Sequence, residues 1–318
     1  MKNLTLPSLA AVTALMVLPA TAQETTELRA SLIPIFDVIP YHAAEAQDYF
    51  AQNGLTMNDT PSQGGATGIP ALLSGSVDIV FTNIVSILQG LDSGLPLQII
   101  APAQKTQGTE PDNAGIVARS DAQITSGADL TGKRVGVNTR NNIIWLYARH
   151  WIDATGGDSS QVTFVEVPFP QMPDAVLNDQ IDAAFVSQPF LGRLMQDDAV
   201  EVVGWPYGFE DTATATSFYV VTDMFAEENP EAVDGFVQAL EQGIDWTNEN
   251  YGDEAAIELV SGYTQMDPAV VSAIMETPWQ YSAEIDTDSI EKTMNLMVTY
   301  ELIDAPVDVD AAIRTQSR

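Results

Sequence analysis

The chain has no cysteine and only two histidines among its 318 residues. A disulfide framework, a thiolate nucleophile and a zinc site built on cysteine are therefore all excluded. Basic residues are scarce as well, because 12 Lys and Arg stand against 44 Asp and Glu, which gives a formal net charge of −32. Nucleic-acid binding depends on neutralising phosphates with basic side chains, so this balance excludes a nucleic-acid partner.

Hydrophobic runs long enough to resemble a membrane segment occur only at the start of the chain. An apolar stretch from Leu4 to Leu18 follows Lys2 and leads into the small residues Pro19 to Ala22. The stretch is shorter than the ~20 apolar residues of a membrane-spanning helix, and small residues are typical of a signal-peptidase site. We predict a signal peptide over residues 1–22, cleavage after Ala22, no direct membrane anchor, and release into a bacterial periplasm.

The most informative feature that is present is a pattern that occurs twice, at residues 71–83 and 175–187. Each copy predicts a helix end, a polar turn with an Asp (Asp78 or Asp182) and a short apolar strand that stops at Asn83 or Ser187. In open α/β sheets, ligands bind beyond the carboxyl ends of the strands. We therefore predict an α/β protein with two lobes and a ligand cleft between them, which closes on the ligand.

Length and composition agree with two lobes, since 318 residues with 45% hydrophobic content suffice for two cores. We assign residues 23–113 and 222–318 to a discontinuous lobe 1, and residues 114–221 to lobe 2 including the hinge strands. The strand at 115–118 is the predicted outward hinge and the strand at 217–222 the predicted return hinge. The helical region after it should buttress lobe 1, and we expect a monomer.

Three stretches of sequence, at 64–78, 129–137 and 175–186, carry a resemblance to a known family. The chain resembles the nitrate/sulfonate/taurine family of periplasmic substrate-binding proteins, which is related to the thiamine-pyrimidine precursor binders. The resemblance covers essentially the whole mature chain. It implies a two-lobed type II periplasmic-binding fold and delivery of a small-molecule solute to the permease and ATPase subunit of an ABC importer. Most of the shared residues are turn and core residues, so they do not specify the ligand.

Arg140 is the first candidate for ligand binding. It follows the predicted strand at 134–137 and precedes a helix start, where backbone N–H groups already favour an anion. Its guanidinium group would suit a carboxylate or a sulfonate, and the alternative is an arginine on a solvated loop or in a surface ion pair. Asn141 and Asn142 are candidates beside it, either as donors to the ligand or as helix caps.

The other candidates follow predicted strands, where a cleft would lie. For each the alternative is a cap, a satisfied turn or core packing. They are Phe36, Asp37 and Tyr41 after the first strand, Gln63 and Gly64 after the second, and Asn83, Ser187 and Gln188 after the two repeated strands. The tryptophans Trp145, Trp205, Trp246 and Trp279 are interpreted mainly as core or interlobe packing.

Catalytic chemistry has little support in the sequence. His42 and His150 lie on separate predicted helices in different lobes, and no Gly-x-Ser-x-Gly pattern precedes a helix. The related pyrimidine synthases rely on a cysteine-rich segment that this chain lacks. We predict no enzyme activity, no metal site and no cofactor. Among solutes, sulfonates such as taurine come first, carboxylates next and a neutral pyrimidine third, while a secreted enzyme or a sensory receptor on the same fold stays open.

Overall fold

Two five-stranded sheets form the framework of the protein in a computed structural model that describes residues 25–209 and 213–314. The predicted signal peptide lies outside these residues. The strands are β1 (Thr26–Leu32), β2 (Leu55–Pro61), β3 (Ile79–Asn83), β4 (Leu97–Lys105), β5 (Ala114–Arg119), β6 (Arg134–Val137), β7 (Thr163–Glu166), β8 (Ala183–Ser187), β9 (Val200–Gly204) and β10 (Ala215–Thr222).

The two sheets share one topology. The first has the order β2-β1-β3-β10-β4 and the second the order β7-β6-β8-β5-β9. In each sheet the first three strands are parallel, and the fourth runs antiparallel to both of its neighbours. This arrangement confirms the predicted α/β class, with one lobe built on each sheet.

Helices cover the faces of both sheets and make up most of the chain after β10. They are α1 (Ile39–Ala46), α2 (Tyr49–Gln52), α3 (Gly65–Leu73), α4 (Ile84–Asp92), α5 (Gly127–Leu130), α6 (Ile143–Ala154), α7 (Met172–Leu177), α8 (Phe190–Met195), α9 (Asp223–Glu228), α10 (Pro230–Asn250), α11 (Glu254–Thr264), α12 (Pro268–Met275) and α13 (Thr287–Thr299). Among the described residues, none of these helices combines the length and apolar character needed to cross a membrane.

The repeated sequence pattern forms the same structure in both lobes. Helix α3 leads into β3 and helix α7 leads into β8, as predicted. The repeated aspartates bind the neighbouring parallel strand. Asp78 accepts hydrogen bonds from the backbone N and the guanidinium of Arg29, and Asp182 accepts the same set from Arg134. The duplicated Asp therefore holds the middle of β1 in lobe 1 and the start of β6 in lobe 2.

Replacing Asp78 or Asp182 by Ala should lower the free energy of unfolding by about 1 kcal/mol each, because their arginine partners are partly exposed and screened by solvent. The two losses should add, since the sites lie in different lobes. Urea unfolding of the single and double variants measures this. Asp245→Ala, an exposed acid on α10, is the control. Losses no larger than in that control would contradict the structural role.

The return of the chain to lobe 1 differs from our prediction. We expected the strand from Ser217 to Thr222 to be the return hinge within lobe 2, but β10 pairs with both β3 and β4 inside the first sheet. Nearly every residue of β10 is buried, as expected of an inner strand rather than a connector. The crossings between the lobes are instead the segments 106–113 and 205–214, and residues 210–212 are not described.

The C-terminal helices buttress lobe 1 and also contact lobe 2. Helix α10 packs tightly on α1, and a Cβ added at Gly243 would lie 2.1 Å from the carbonyl oxygen of Pro40. Helix α13 contacts α6 of lobe 2 through the hydroxyl groups of Tyr147 and Thr293, 2.8 Å apart. Helices α1 and α2 are separate, because Asp48 between them adopts a left-handed conformation (φ 59°).

Candidate functional site

Hydrogen bonds cross the cleft between the lobes at several points. The Asn138 side chain donates to the carbonyl oxygen of Gln63 at 3.1 Å, and the backbone N of Ile143 donates to Asn83 Oδ1 at 3.2 Å. On the opposite side, the backbone N of Phe36 donates to the carbonyl oxygen of Gln188 at 3.1 Å. The structure therefore represents a closed arrangement of the lobes.

Beyond the Phe36–Gln188 contact lies a cavity of about 60 Å³ that is bounded by both lobes and by both crossing segments. Its polar lining comes from β4, from the outward crossing, from the residue after β8 and from the segment after α12, and consists of Gln104, Asp112, Asn113, Gln188 and Thr277. Five aromatic side chains line it as well, namely Phe36, Trp205, Tyr251, Trp279 and Tyr281. A mostly apolar lining with a few convergent polar groups is typical of small-molecule sites, and the small volume of this cavity in the closed arrangement favours a small solute.

Several buried polar atoms around this cavity have no hydrogen-bond partner among the described residues. They are Gln104 Oε1, Asp112 Oδ2, Asn113 Oδ1 and Trp279 Nε1. Leaving a buried polar group unpaired costs about 1 to 3 kcal/mol, so such groups are expected where a ligand completes the structure. Their gathering around one cavity identifies it as the candidate ligand site.

Two buried carboxyl groups lie at this site. Burial raises the pKa of Asp37 to about 6, and the hydroxyl of Ser217, which donates to Asp37 Oδ2 at 2.7 Å, opposes that shift only in part. Burial also raises the pKa of Asp112 to about 7, although hydrogen bonds to the carboxylate, above all the one from the backbone N of Asn113, oppose the shift, and the nearby charge of Asp37 adds a smaller increase. Asp112 Oδ1 accepts a hydrogen bond from the backbone N of Asn113 at 2.7 Å. Both acids are therefore sensitive to whatever charge a ligand brings.

Arg140 lies outside this cavity. Its side chain is 61% exposed, its Nε is 4.0 Å from Glu166 Oε1, and its backbone N donates to the same carboxylate at 2.7 Å. Together with Asn141 it borders an open groove at the mouth of the cleft, next to Gly65 and Ser86. In this closed form Arg140 is a solvated surface residue paired with an acid, which was the alternative to ligand binding. The loop after β6 turns its side chain outward toward β7.

Arg140→Ala should therefore change the free energy of unfolding by less than about 0.5 kcal/mol. The affinity for any solute bound in the cavity should change less than twofold. Calorimetric titration of the variant beside the wild type measures both affinities. A loss of about 2 to 5 kcal/mol of binding energy, as expected when one partner of a buried charge pair is removed, would restore the anion-binding role.

Tyr41 does not face the cleft and is a correction to our candidate set. Its side chain is fully buried in lobe 1 beside Phe50, Tyr219 and Phe236, and its hydroxyl donates to Asp59. The helix that carries it faces α10, so its apolar ring is buried there. Core packing was the alternative we considered for this aromatic residue, and the structure agrees with it.

The remaining predicted residues lie along the cleft, mostly in structural roles. Asn83 caps α4 by accepting from the backbone N of Ser86 and also forms the interlobe bond. Asn142 caps α6 and donates to Asn138. Ser187 is buried at the end of β8, while Gly64 has a φ of 133° and would place a Cβ 3.6 Å from Asn138 Nδ2. These residues shape the closed cleft beside the cavity.

Sequence reasoning missed most residues of the cavity. Gln104, Asp112 and Asn113 belong to the end of β4 and to the first crossing, and Tyr251 and Tyr281 belong to the C-terminal helical region. One signal was available, because a polar segment between two lobes must border their cleft, and Asp112 and Asn113 end that segment. No sequence spacing connects it to aromatic residues more than a hundred positions later.

One group of side chains bears on the expectation of no metal site. In the described part of the chain, His42, Glu45 and Asp59 place potential ligand atoms within 4.8 Å of one another. The carboxylate of Asp59 is already engaged by Tyr41, and His42 stacks on Tyr263 with the ring centroids 4.3 Å apart. The group lies on α1 and β2, away from the cavity.

Comparisons with known proteins identify relatives of this chain. A family model described as NMT1/THI5 like matches residues 35–255. The riboflavin-binding protein RibY of Chloroflexus aurantiacus is 24% identical over 322 residues, which cover 93% of this chain and 86% of that protein.

Solved structures match at lower identity and support the fold. The alkanesulfonate-binding protein SsuA of Xanthomonas axonopodis pv. citri, bound to MOPS, has a TM-score of 0.78 at 17% identity, covering 92% of this chain and 99% of that one. The periplasmic nitrate-binding protein NrtA of Synechocystis has a TM-score of 0.76 at 14% identity, covering 92% and 87%. The two-lobed periplasmic-binding fold predicted from the motifs is confirmed.

Proposed function

The chain belongs to the NMT1/THI5-like family, and on that premise we propose that it is the solute-binding component of an ABC importer. It captures a small organic solute between its lobes and presents the closed form to a membrane permease and its ATPase subunit. Relatives with this fold are binding proteins for sulfonates and nitrate, which supports a binding role rather than catalysis.

The observation that carries this proposal is the cavity enclosed between the lobes. Phe36 and Gln188, which come from different lobes, meet at its edge, and polar atoms without partners gather around it. A solute that binds there contacts both lobes at once, so its binding energy favours the closed form. Closure is the change that a permease can recognise.

The proposed location is the periplasm, and the proposed state is a monomer. The apolar stretch from Leu4 to Leu18 supports export, and the nitrate-binding protein NrtA of Synechocystis, which has the same fold, is described as periplasmic. Cleavage after Ala22 would release the mature protein into solution. Mass spectrometry of the exported protein tests the cleavage position.

The anionic solute predicted from Arg140 has support from relatives but little from the cavity. SsuA and NrtA are named for an alkanesulfonate and for nitrate. RibY is named for riboflavin, so members of similar sequence and fold differ in what they bind. Because Arg140 is exposed outside the cavity, a sulfonate or carboxylate bound there would have to rely on neutral donors such as Trp279 Nε1.

Small-angle scattering combined with a thermal-shift screen tests the proposed function. Sulfonates, carboxylates, nitrate, amines, amidines and pyrimidines are added to the mature protein, and a solute that binds only the folded state raises the melting temperature. A true solute should also reduce the radius of gyration by closing the lobes. Capture by closure would be contradicted if a solute binds without any change in scattering, or if no solute in the panel raises the melting temperature.

Asn83→Ala should weaken solute affinity by about 1 kcal/mol or more, because it removes the bond to Ile143 N across the cleft. It also removes the α4 cap, so part of the effect is on folding. Thr222→Ala is the matched control, since Thr222 caps α9 by accepting from Phe225 N at 3.1 Å without a contact to lobe 2. Equal affinity in both variants would contradict the closing role of Asn83.

A further inference from the structure

The charge of the cavity differs from that of a site built for anions. Asp112 lines it directly, and none of the lining residues in the described part of the chain is Lys, Arg or His. Asp37 follows the cavity residue Phe36, is only 5% exposed, and is bound by the hydroxyl of Ser217 rather than by a basic group. An ionised carboxylate buried without a positive partner is costly, so a partner from solution is favoured.

Hydrogen-bonding capacity at the cavity points in the same direction. Three of the four atoms without partners are oxygens, on Gln104, Asp112 and Asn113, and only Trp279 Nε1 is a donor. The carboxylate oxygen of Asp112 can act only as an acceptor while it is ionised. A solute with several N–H donors would satisfy these atoms, whereas a sulfonate or nitrate would add further acceptors next to them.

The aromatic lining suits a cation as well. Trp205, Trp279, Tyr251, Tyr281 and Phe36 border the same space as Asp112. The face of an aromatic ring attracts a positive charge, most strongly for Trp, and the attraction grows when the cation is desolvated. The ring of Trp205 packs closely on Gly115, since a Cβ added there would be 3.1 Å from two of its carbons. The missing side chain at Gly115 therefore leaves room for the ring at the edge of the site.

These observations rest on the proposed role as a solute-binding protein and extend it to the class of solute. We propose that the cavity binds a small organic cation of the ammonium or amidinium type, with its N–H groups on the Asp112 carboxylate and its carbon skeleton among the aromatic side chains. The solute is thus opposite in charge to the anions for which SsuA and NrtA are named.

Charge-matched probes test the class without knowledge of the natural solute. Methylguanidinium and acetamidinium are compared with their neutral counterparts methylurea and acetamide, and with acetate, methanesulfonate and nitrate. Calorimetry and tryptophan fluorescence at pH 8 report binding. Each cation should bind at least tenfold more tightly than its neutral counterpart, and fluorescence should change because Trp205 and Trp279 line the site.

Variants assign the binding to the cavity. Asp112→Asn should lower the affinity for both cations at least tenfold. Asp245→Asn makes the same charge change on the surface of α10 and should leave both affinities unchanged. Trp279→Leu should lower the affinities severalfold with no change in charge. Thermal melts of all three variants establish that they are folded.

The outcomes separate this inference from the proposed function. Tighter binding of acetate, methanesulfonate or nitrate than of either cation, with lobe closure in scattering, would overturn the cation assignment and leave the transport role intact. The cation assignment would also be overturned if neither cation binds, or if Asp112→Asn and the wild type bind the cations equally well. Cation binding that depends on Asp112 but leaves the scattering unchanged would support the class of solute and contradict capture by closure.

Discussion

At pH 8, Asp112→Asn should stabilise the ligand-free protein by about 2 to 4 kcal/mol. The carboxyl group titrates near 3.8 when unfolded, and burial raises its pKa to about 7 in the folded protein. Each unit of pKa difference corresponds to about 1.4 kcal/mol between the protonation states. Asparagine has nearly the same shape, and its oxygen can still accept from the backbone N of Asn113, but it carries no charge to be desolvated.

The pH dependence of stability follows from the same shift. Because the folded pKa is raised, the stabilisation by the bound proton is complete below about pH 4 and is lost as the pH rises through about 7. The wild type should therefore lose stability between pH 5 and pH 8. Asp112→Asn should lose less stability over this range. Its remaining loss comes from Asp37, whose pKa in the folded protein is about 6.

Urea unfolding at pH 5, 6, 7 and 8 measures these stabilities. Asp245→Asn serves as the control for the general effect of removing one acid from a chain with a net charge of −32. The gain expected for Asp112→Asn is paired with a loss of cation binding, so the same substitution should raise stability and reduce function. A variant no more stable than the control at pH 8 would show that Asp112 is not held charged in a desolvated site.

Tyr41→Ala should destabilise the protein by about 3 to 5 kcal/mol, the cost typical of removing a large buried ring. The ring is fully buried and contacts Phe50, Tyr219 and Phe236, with centroid distances of 5.1, 6.2 and 6.2 Å. The substitution also removes the hydroxyl donor of the half-buried Asp59 carboxylate. Solute affinity should not change at temperatures where the variant is folded, because Tyr41 lies in the core of lobe 1.

Tyr41→Phe separates the two contributions. It keeps the ring and removes only the hydroxyl, so we expect a loss of about 1 to 3 kcal/mol from the unpaired Asp59. Chemical unfolding gives both stabilities, and calorimetry with a bound solute gives the affinities. A specific loss of affinity in Tyr41→Phe would return Tyr41 to the ligand site and contradict the structure.

Local patterns were sufficient to predict the architecture. The apolar strands that end at Asn83 and Ser187 recur because both lobes bury the same kind of parallel strand. The helix start predicted after Arg140 is the start of α6, since the apolar residues of this helix and its Asn142 cap lie within one short segment. The resemblance to a binding-protein family was likewise carried by turn and core residues that form these elements.

The ligand site was predicted only in part. Phe36 and Gln188 were found because they directly follow strands, a position that borders a cleft in any protein of this architecture. Arg140 follows a strand too, yet its loop turns outward toward Glu166, and no property of the local sequence records that direction. Tyr41 likewise occupies the core because α10, far away in the chain, covers it.

By itself, the sequence determined the two-lobed α/β architecture, the positions of most helices and strands, and the absence of cysteine chemistry, because each depends on composition or on short-range periodicity. Only the tertiary structure decided the character of the site. It brought Asp112 of the first crossing next to Trp279 and Tyr281 of the C-terminal region and left Arg140 in solvent. Burial and proximity of distant residues are set by the packing of the lobes, and they determine the charge that a ligand meets.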